Sequence, residues 1–536
     1  MKVSNYIVKL FEDYGVQDVF GYPGVGCGHL MNSLKGTSIT NHLVYNEQGA
    51  AFAVCSYAQA SHRVGIAYST AGPGGTNLVT GIANAYCDSI PTIFIVGEKD
   101  LASLKGNRKL RQCISQEVDI VRVCKPISKW SAQITKKEDI AYIFEKAFYL
   151  AQNGRPGPIV IDFPSDIQRS EIDEKNLRHF KMPKKPSCIK DAELVIDLLN
   201  SSKKPLFLIG NGAKQAGLDE AIISFAKTHS IPFTTTLICC DLVPNEDINL
   251  GYIGMDGDKS ANLAVSNCDL LVSFGARLNF KQVCNNRQKF APNAKVIRID
   301  CDINELEYEL RDEIKINKDL RTFVPEIIKC SLKNNYLDWC NECVLTKKSS
   351  SKNEPLNIVA GNVVSRISES ISNDYNIVTD TGSHRRWVMS SFKFKNGQKF
   401  FQSAGLASMG YAIPASIGAY YATRNKVICF EGDGGLMMNL QELEMINRDR
   451  IPISIIVFNN QCLGDIMEFQ KKIFHSYFAT TEKSGYKVAN FELIAKAFSL
   501  NYVKITNNED LSKINVLSDE PQLIEVMVPS NIGEEE

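Results

Sequence analysis

The chain has 536 residues, with 60 basic and 60 acidic side chains, a formal net charge of zero and 16 cysteines. That length implies three or four domains of ordinary size and does not limit core burial. Balanced charge argues against a nucleic-acid channel or a polybasic membrane anchor, and no uninterrupted apolar run is long enough to cross a bilayer.

The opening segment reads as a helix, not a signal peptide. Val3, Ile7, Leu10 and Phe11 share one face, and Glu12 and Asp13 interrupt it before any long hydrophobic run. Short apolar runs then alternate with helical stretches. Asp18-Val19-Phe20-Gly21 ends at a glycine turn, Val64 to Tyr68 precedes Ala71-Gly72-Pro73-Gly74-Gly75, Ile93 to Val96 ends at Gly97, and Pro158 to Asp162 closes the series. A charged, proline-containing stretch covers residues 165–186. The pattern resumes at Leu206 to Gly210, Leu270 to Gly275 and Val296 to Asp300. Residues 347–355, polar and rich in serine and lysine, read as a linker. Beyond it come Ile377 to Asp380, Val427 to Phe430, Ile453 to Phe458 and Leu523 to Met527, then an acidic tail, Gly533-Glu534-Glu535-Glu536, expected to fray. Apolar strands separated by helices imply parallel sheets covered on both faces. The fold class expected is α/β, with three doubly wound parallel-sheet domains at residues 1–165, 185–345 and 356–530. Sixteen dispersed cysteines suit a reduced, cytoplasmic chain. Cys340-Asn341-Glu342-Cys343 lacks a second pair or a histidine cluster, so two thiols on the last helix of a domain are expected ahead of a zinc or redox site.

The most informative stretch runs from Glu431 to Asn460. Gly432-Asp433-Gly434-Gly435 follows one apolar strand, and Asn459-Asn460 ends the next. The glycines let backbone approach phosphate oxygens. Asp433 offers a carboxylate oxygen, Asn460 an amide oxygen and the following loop a carbonyl, a donor set that Mg²⁺ accepts while it keeps diphosphate oxygens. The arrangement resembles the thiamin diphosphate motif. Glu47, in Asn46-Glu47-Gln48-Gly49-Ala50-Ala51, opens a helix of small residues that permits close approach of another backbone. A carboxylate at a helix start is commonly only a partner for the helix dipole. Beside a thiamin diphosphate motif it gains a second reading, because the cofactor needs a carboxylate at pyrimidine N1′.

Further motifs make the resemblance specific. Gly21-Tyr22-Pro23-Gly24, Thr70-Ala71-Gly72-Pro73-Gly74-Gly75-Thr76-Asn77, Asp88-Ser89-Ile90-Pro91, Gly254-Met255-Asp256-Gly257, Gly275-Ala276-Arg277, Asp380-Thr381-Gly382-Ser383-His384, Ser408-Met409-Gly410-Tyr411 and Met438-Asn439-Leu440-Gln441-Glu442-Leu443 occur in order over nearly the whole chain. The chain resembles the acetolactate synthase (acetohydroxyacid synthase) family of thiamin diphosphate enzymes. The resemblance implies that Glu47 meets N1′ and that Gln116 lies near the thiazolium. It implies that Asp433, Asn460 and the Cys462 carbonyl hold Mg²⁺. Met409 would hold the cofactor bent, the Ala407 carbonyl would accept from its 4′-amino group, and Ser383 and His384 would contact the diphosphate end. Pro23, Gly24, Thr70, Asn77, Gly432, Gly434, Gly435, Gly464 and Asp465 are further expected cofactor contacts. It also implies a homodimer or homotetramer with active sites at the subunit interface, while leaving a small regulatory subunit undecided.

For FAD the reading stays open. Gly275, Arg277 and Asp300 stand where backbone N–H groups, a guanidinium and a carboxylate could meet a dinucleotide, yet relatives keep this fold without FAD.

The departures from the family cluster where substrate would sit. Lys281 replaces an arginine and loses its planar fork. Phe469 stands for a tryptophan, Asp465 for a methionine and Ser115 for an aromatic residue, while the first turn is Gly24-Val25-Gly26. His29 stands alone where simple pyruvate decarboxylases pair histidines. The expected function is a thiamin diphosphate- and Mg²⁺-dependent carboligase. It would decarboxylate pyruvate or a similar 2-keto acid and pass the acyl carbanion equivalent to a carbonyl acceptor, either a second 2-keto acid or a keto-sugar. The alternatives are a non-ligating decarboxylase or C–C lyase on the same scaffold, and a cofactor-free homologue, against which the retained Glu47, Asp433 and Asn460 argue.

Overall fold

The computed structural model describes residues 1–106, 108–183, 187–284, 287–311, 313–350 and 358–529. The acidic tail at 533–536, residues 351–355 of the expected linker and residues 184–186 of the proline-containing stretch lie outside that set. Three six-stranded sheets follow one another along the chain.

The first sheet runs, edge to edge, Thr40–Leu43, Asp18–Gly21, Gly65–Ser69, Thr92–Glu98, Pro158–Pro164 and Trp130–Gln133, all parallel. The second runs Glu313–Asn317, Lys295–Asp300, Leu270–Phe274, Pro205–Ile209, Phe233–Thr235 and Asn249–Tyr252, again parallel. The third runs Lys399–Gln402, Asn376–Thr379, Val427–Gly432, Ile453–Asn459, Gln522–Met527 and Asn501–Ile505, parallel from Asn376–Thr379 onward. Central strands such as Thr92–Glu98 and Ile453–Asn459 are buried at every position. Helices on both faces demand that burial, and it explains the unbroken apolar runs of the sequence.

The chain forms two compact units. One comprises Met1–Met182, Pro355–Phe392 and Phe401–Glu536, and the other Pro183–Glu354 and Lys393–Phe400. The first sheet and, apart from Lys399 and Phe400 on its edge strand, the third thus belong to one unit. Its two halves meet where the helix Glu47–Ser61 packs on the helix Ala412–Thr423. The small residues expected to permit close approach do so here. A Cβ at Gly418 would fall 1.9 Å from the Ala53 carbonyl oxygen, and the Ser56 hydroxyl donates to the Ala415 carbonyl at 2.6 Å.

The N-terminal helix spans Val3–Asp13 and buries Val3, Ile7, Leu10 and Phe11. The linker expectation needs correction at its start. The helix Leu337–Ser349 continues through Lys347, whose ammonium is held by the carbonyls of Glu246 and Asn249. Cys340 and Cys343 lie buried on that helix, and burial pushes the Cys343 thiol up to about 12. Neither is poised as a reactive thiolate, and among the described residues no group of three or more His, Cys, Asp or Glu side chains is arranged to hold a metal. No described helix is long and apolar enough to cross a membrane.

Candidate active site

The third sheet is Gly- and Asn-rich at the carboxyl ends of two central strands, and a cavity of about 220 Å³ opens there. Strand Val427–Gly432 delivers Asp433, and the neighbouring strand Ile453–Asn459 delivers Asn460. The two asparagines part company at the strand end. Asn459 is spent on structure, its amide donating to Glu525 Oε1 at 2.6 Å and its oxygen accepting from Gln461 N at 3.0 Å. Gln461 takes a positive φ of 58°, which turns the chain back toward the sheet and leaves Asn460 on the cavity wall.

Asp433 is almost fully buried. Its Oδ1 accepts from the Tyr486 hydroxyl at 3.2 Å and its Oδ2 from the Gln461 amide at 3.0 Å. Burial still pushes this carboxyl up to about 6, a cost that a bound cation would offset. One terminal atom of the Asn460 amide lies 2.8 Å from the Cys462 carbonyl oxygen and 3.3 Å from Asp433 Oδ2. As NH₂ it donates to both. As oxygen it completes a close group of three oxygens, a donor set of the kind Mg²⁺ takes.

The remaining wall suits a polyanion. His384 is buried with no partner for Nε2, and burial lowers its pKa to about 4, so it stays neutral near pH 7. An orphaned buried nitrogen beside a cavity calls for a ligand atom. Gly434 and Gly464 keep the space open. A Cβ at Gly434 would fall 2.9 Å from Leu463 Cδ2 and 3.3 Å from Met409 Cε, and one at Gly464 would fall 2.9 Å from the Asn460 amide. Ser383 Oγ donates to Asp465 Oδ1, which also receives Arg386 at 2.9 Å. The residues present therefore fit a metal-bridged diphosphate. Of the residues singled out in the sequence, Ser383, His384, Met409, Gly432, Asp433, Gly434, Gly435, Asn460, Cys462, Gly464 and Asp465 all line this cavity.

Glu47, Gln116, Pro23, Gly24, Thr70, Asn77 and Ala407 do not line it. Five of these gather at the first sheet. Glu47 is the first residue of its helix, capped by the Asn46 side chain, and its Oε2 accepts from Asn77 at 2.9 Å. A Cβ on Gly74 would meet Glu47 Oε1 at 3.0 Å and Thr70 Cγ2 at 3.1 Å, while Gly24 packs directly on Thr70. Gln116 joins through its backbone, against Gly72, and is itself exposed with a positive φ of 70°. Pro23 is exposed beside Gly24. Ala407 sits at φ 56° on a loop fastened to the first half of this unit: Asp88 accepts the amides of Ala404 and Gly405 at 3.0 and 2.6 Å.

In the other unit, Gly275 (φ 61°) lies against Gly212 where strands Leu270–Phe274 and Pro205–Ile209 separate, and Asp300 Oδ1 accepts the Asp302 amide at 2.9 Å. Arg277, expected to face a dinucleotide, pairs its guanidinium with Glu305 of the helix Ile303–Glu307 at 3.2 Å and is half exposed.

Sequence reasoning missed Tyr486, which reaches Asp433 from an irregular segment with no periodic signal. It also missed the cavity wall Trp387, which belongs to no recognised motif, and placed Phe458 only at the end of a strand.

Three family models of thiamine pyrophosphate enzymes match the chain: the N-terminal TPP binding domain over residues 1–123, the central domain over 192–327 and the C-terminal TPP binding domain over 380–526. The chain is 34% identical to the acetolactate synthase large subunit of Lactococcus lactis, covering 98% of this chain and 92% of the relative. It is 34% identical to the probable acetolactate synthase large subunit of Methanocaldococcus jannaschii over 98% and 92%. It is 31% identical to the acetolactate synthase isozyme 2 large subunit of Escherichia coli K12 over 98% and 96%.

Proposed function

This chain belongs to the acetolactate synthase family of thiamine pyrophosphate enzymes, and on that footing we propose that it is a thiamin diphosphate- and Mg²⁺-dependent carboligase. It decarboxylates pyruvate or a similar 2-keto acid and transfers the acyl carbanion equivalent to a carbonyl acceptor, a 2-keto acid or a keto-sugar. The observation that carries this reading is the meeting of Asp433, the Asn460 amide and the Cys462 carbonyl in a glycine-lined cavity beside the orphaned His384 nitrogen.

Bound thiamin diphosphate supplies an electron sink for the bond beside the keto group. The chain's own residues do the rest. Asp433, Asn460 and the Cys462 carbonyl would hold the metal. Ser383, His384 and the backbone at Gly432, Gly434, Gly435 and Gly464 hold the diphosphate, with Asp465 beside them. Met409 would pack against the cofactor and the Ala407 carbonyl would accept from its amino group. Glu47, steadied by Asn77, holds or moves a proton at ring nitrogen N1′. Pro23, Gly24 and Thr70 would line that side, and Gln116 would lie near the reacting carbon. Residues 1–165 serve the pyrimidine and residues 356–530 the diphosphate.

Within one chain Glu47 does not line the Asp433 cavity, which supports a homodimer or homotetramer in which a second copy lends its Glu47. Residues 185–345, with Gly275, Arg277 and Asp300, would be the place for FAD if the chain binds it, and its presence would colour the purified protein. The test is incubation with pyruvate, the cofactor and Mg²⁺, with and without a panel of ketone and aldehyde acceptors. Cofactor-dependent CO₂ release with a coupled product is expected. Free aldehyde as the sole product would instead make the chain a non-ligating decarboxylase, and no cofactor-dependent CO₂ release would refute the reading.

A further inference from the structure

We propose that Glu442 is a positioning residue for Glu47: its carboxylate grips the backbone just ahead of the helix that Glu47 opens. This rests on the reading that Glu47 acts on the cofactor ring.

Glu442 is completely buried. Its Oε1 accepts the Tyr45 amide at 3.2 Å and the Asn46 amide at 3.0 Å, and its Oε2 accepts Tyr45 again at 3.2 Å. Asn46 is the N-cap of helix Glu47–Ser61, so these are amides no helical carbonyl can satisfy. The carboxylate thus takes the donors at the helix entrance and stands at the positive end of the helix dipole. Gly49 makes room for it, since a Cβ there would fall 2.5 Å from Glu442 Oε1. A parallel strut joins the same pieces: Asn439 donates to Gln48 Oε1 at 3.1 Å and to the Gly410 carbonyl at 2.7 Å. Residues 45–49 are therefore held from one side by residues 439–442.

Asn77 steers the Glu47 carboxylate through its own amide, whereas Glu442 holds the backbone amides of the two residues just ahead of it, Tyr45 and Asn46. Glu442 also lies on the segment that follows the Asp433 turn in the same chain. A chain that lends Glu47 to a second copy therefore sets the position of that carboxylate from its own diphosphate-side segment.

The test compares Glu442→Asp, which keeps the carboxyl group but withdraws its oxygens, with Glu442→Gln, which keeps the length and one acceptor oxygen. Amide hydrogen exchange of residues 45–48 is followed in cofactor-free protein, and proton exchange at cofactor C2 in holoenzyme, each also in a Glu47→Gln background. Glu442→Asp should deprotect these amides and slow C2 exchange by about 10- to 100-fold, the scale of a small misplacement, with pyruvate KM and cofactor affinity little changed. Glu442→Gln should recover most of both, and neither substitution should slow exchange further once Glu47 is Gln. Slow exchange in both variants with both deprotected would equally support the proposal. Unchanged exchange in Glu442→Asp, or slowing with full amide protection, would overturn it. Unchanged exchange in Glu47→Gln alone would instead overturn the role of Glu47 and leave the grip on the helix standing.

Discussion

The Asp433 cavity and the Glu47 cluster are built in opposite ways. The first gathers loops from the ends of adjacent strands in one sheet and encloses about 220 Å³ with a buried carboxylate, an unpartnered imidazole nitrogen and glycine walls. The second is one carboxylate on a tightly packed helix, fixed by Asn77 on one side and approached by Gly74, with its backbone gripped by Glu442. On the proposed reading one region is a receptacle and the other a projecting tool, and a chain that carries both uses them together with a second copy.

The largest effect that could break this comparison comes from mixing two impaired variants. Glu47→Gln should leave cofactor affinity within a few-fold while turnover and C2 exchange fall by roughly 10³-fold or more. Asp433→Ala should cut turnover by roughly 10- to 100-fold at Mg²⁺ and cofactor levels that half-saturate the parent chain. If tool and receptacle come from different copies, mixed assemblies of the two variants regain activity, measured as CO₂ release from pyruvate. Mixtures that stay impaired after subunit exchange would place both on one chain.

Next in size is the receptacle alone. Asp433→Ala removes a metal ligand, so the Mg²⁺ and cofactor concentrations for half-maximal activity should rise by roughly 10- to 100-fold, read by titration. Gly434→Ala should raise the cofactor requirement by about tenfold, because its methyl must displace Leu463 Cδ2 at 2.9 Å and crowd Met409. Its Mg²⁺ dependence at saturating cofactor should change little, which separates wall from ligand.

The smallest effect concerns the sheet that carries the tool. Burial, and then the charge of Glu98, push Asp162 up to about 8, and burial pushes Glu98 up to about 7. The folded state holds these protons more tightly than the unfolded chain. Stability is therefore full below about pH 4 as far as this pair is concerned, and falls as pH rises through 7 to 8. Asp162→Asn should flatten the fall in Tm between pH 5 and pH 8 without moving the pH profile of turnover. A shifted turnover profile would tie this pair to the site.

Much of the fold was legible because interior strands of covered parallel sheets are apolar throughout. Ile93 to Val96, Leu270 to Phe274 and Ile453 to Phe458 announced themselves for that reason. The strands that escaped notice are mostly edges: Trp130–Gln133, Asn249–Tyr252, Glu313–Asn317, Lys399–Gln402 and Asn501–Ile505. An edge strand is covered less, so its composition blends into the neighbouring loops. Phe233–Thr235, one place inside an edge, was missed because three residues show no period.

The amino-acid order alone specified three covered parallel sheets, the glycine turn at Asp433, the asparagine at the end of the next strand and the carboxylate at the head of a small-residue helix. All of these are local properties of composition and spacing. Folding in three dimensions settled that Asn459 is bound to Glu525 while Asn460 faces the cavity. It also brought Tyr486 to Asp433, turned Arg277 toward Glu305 and set Glu442 against Tyr45 and Asn46. Those partners are far apart along the chain or on separate elements, and no periodicity encodes which buried polar group will satisfy which.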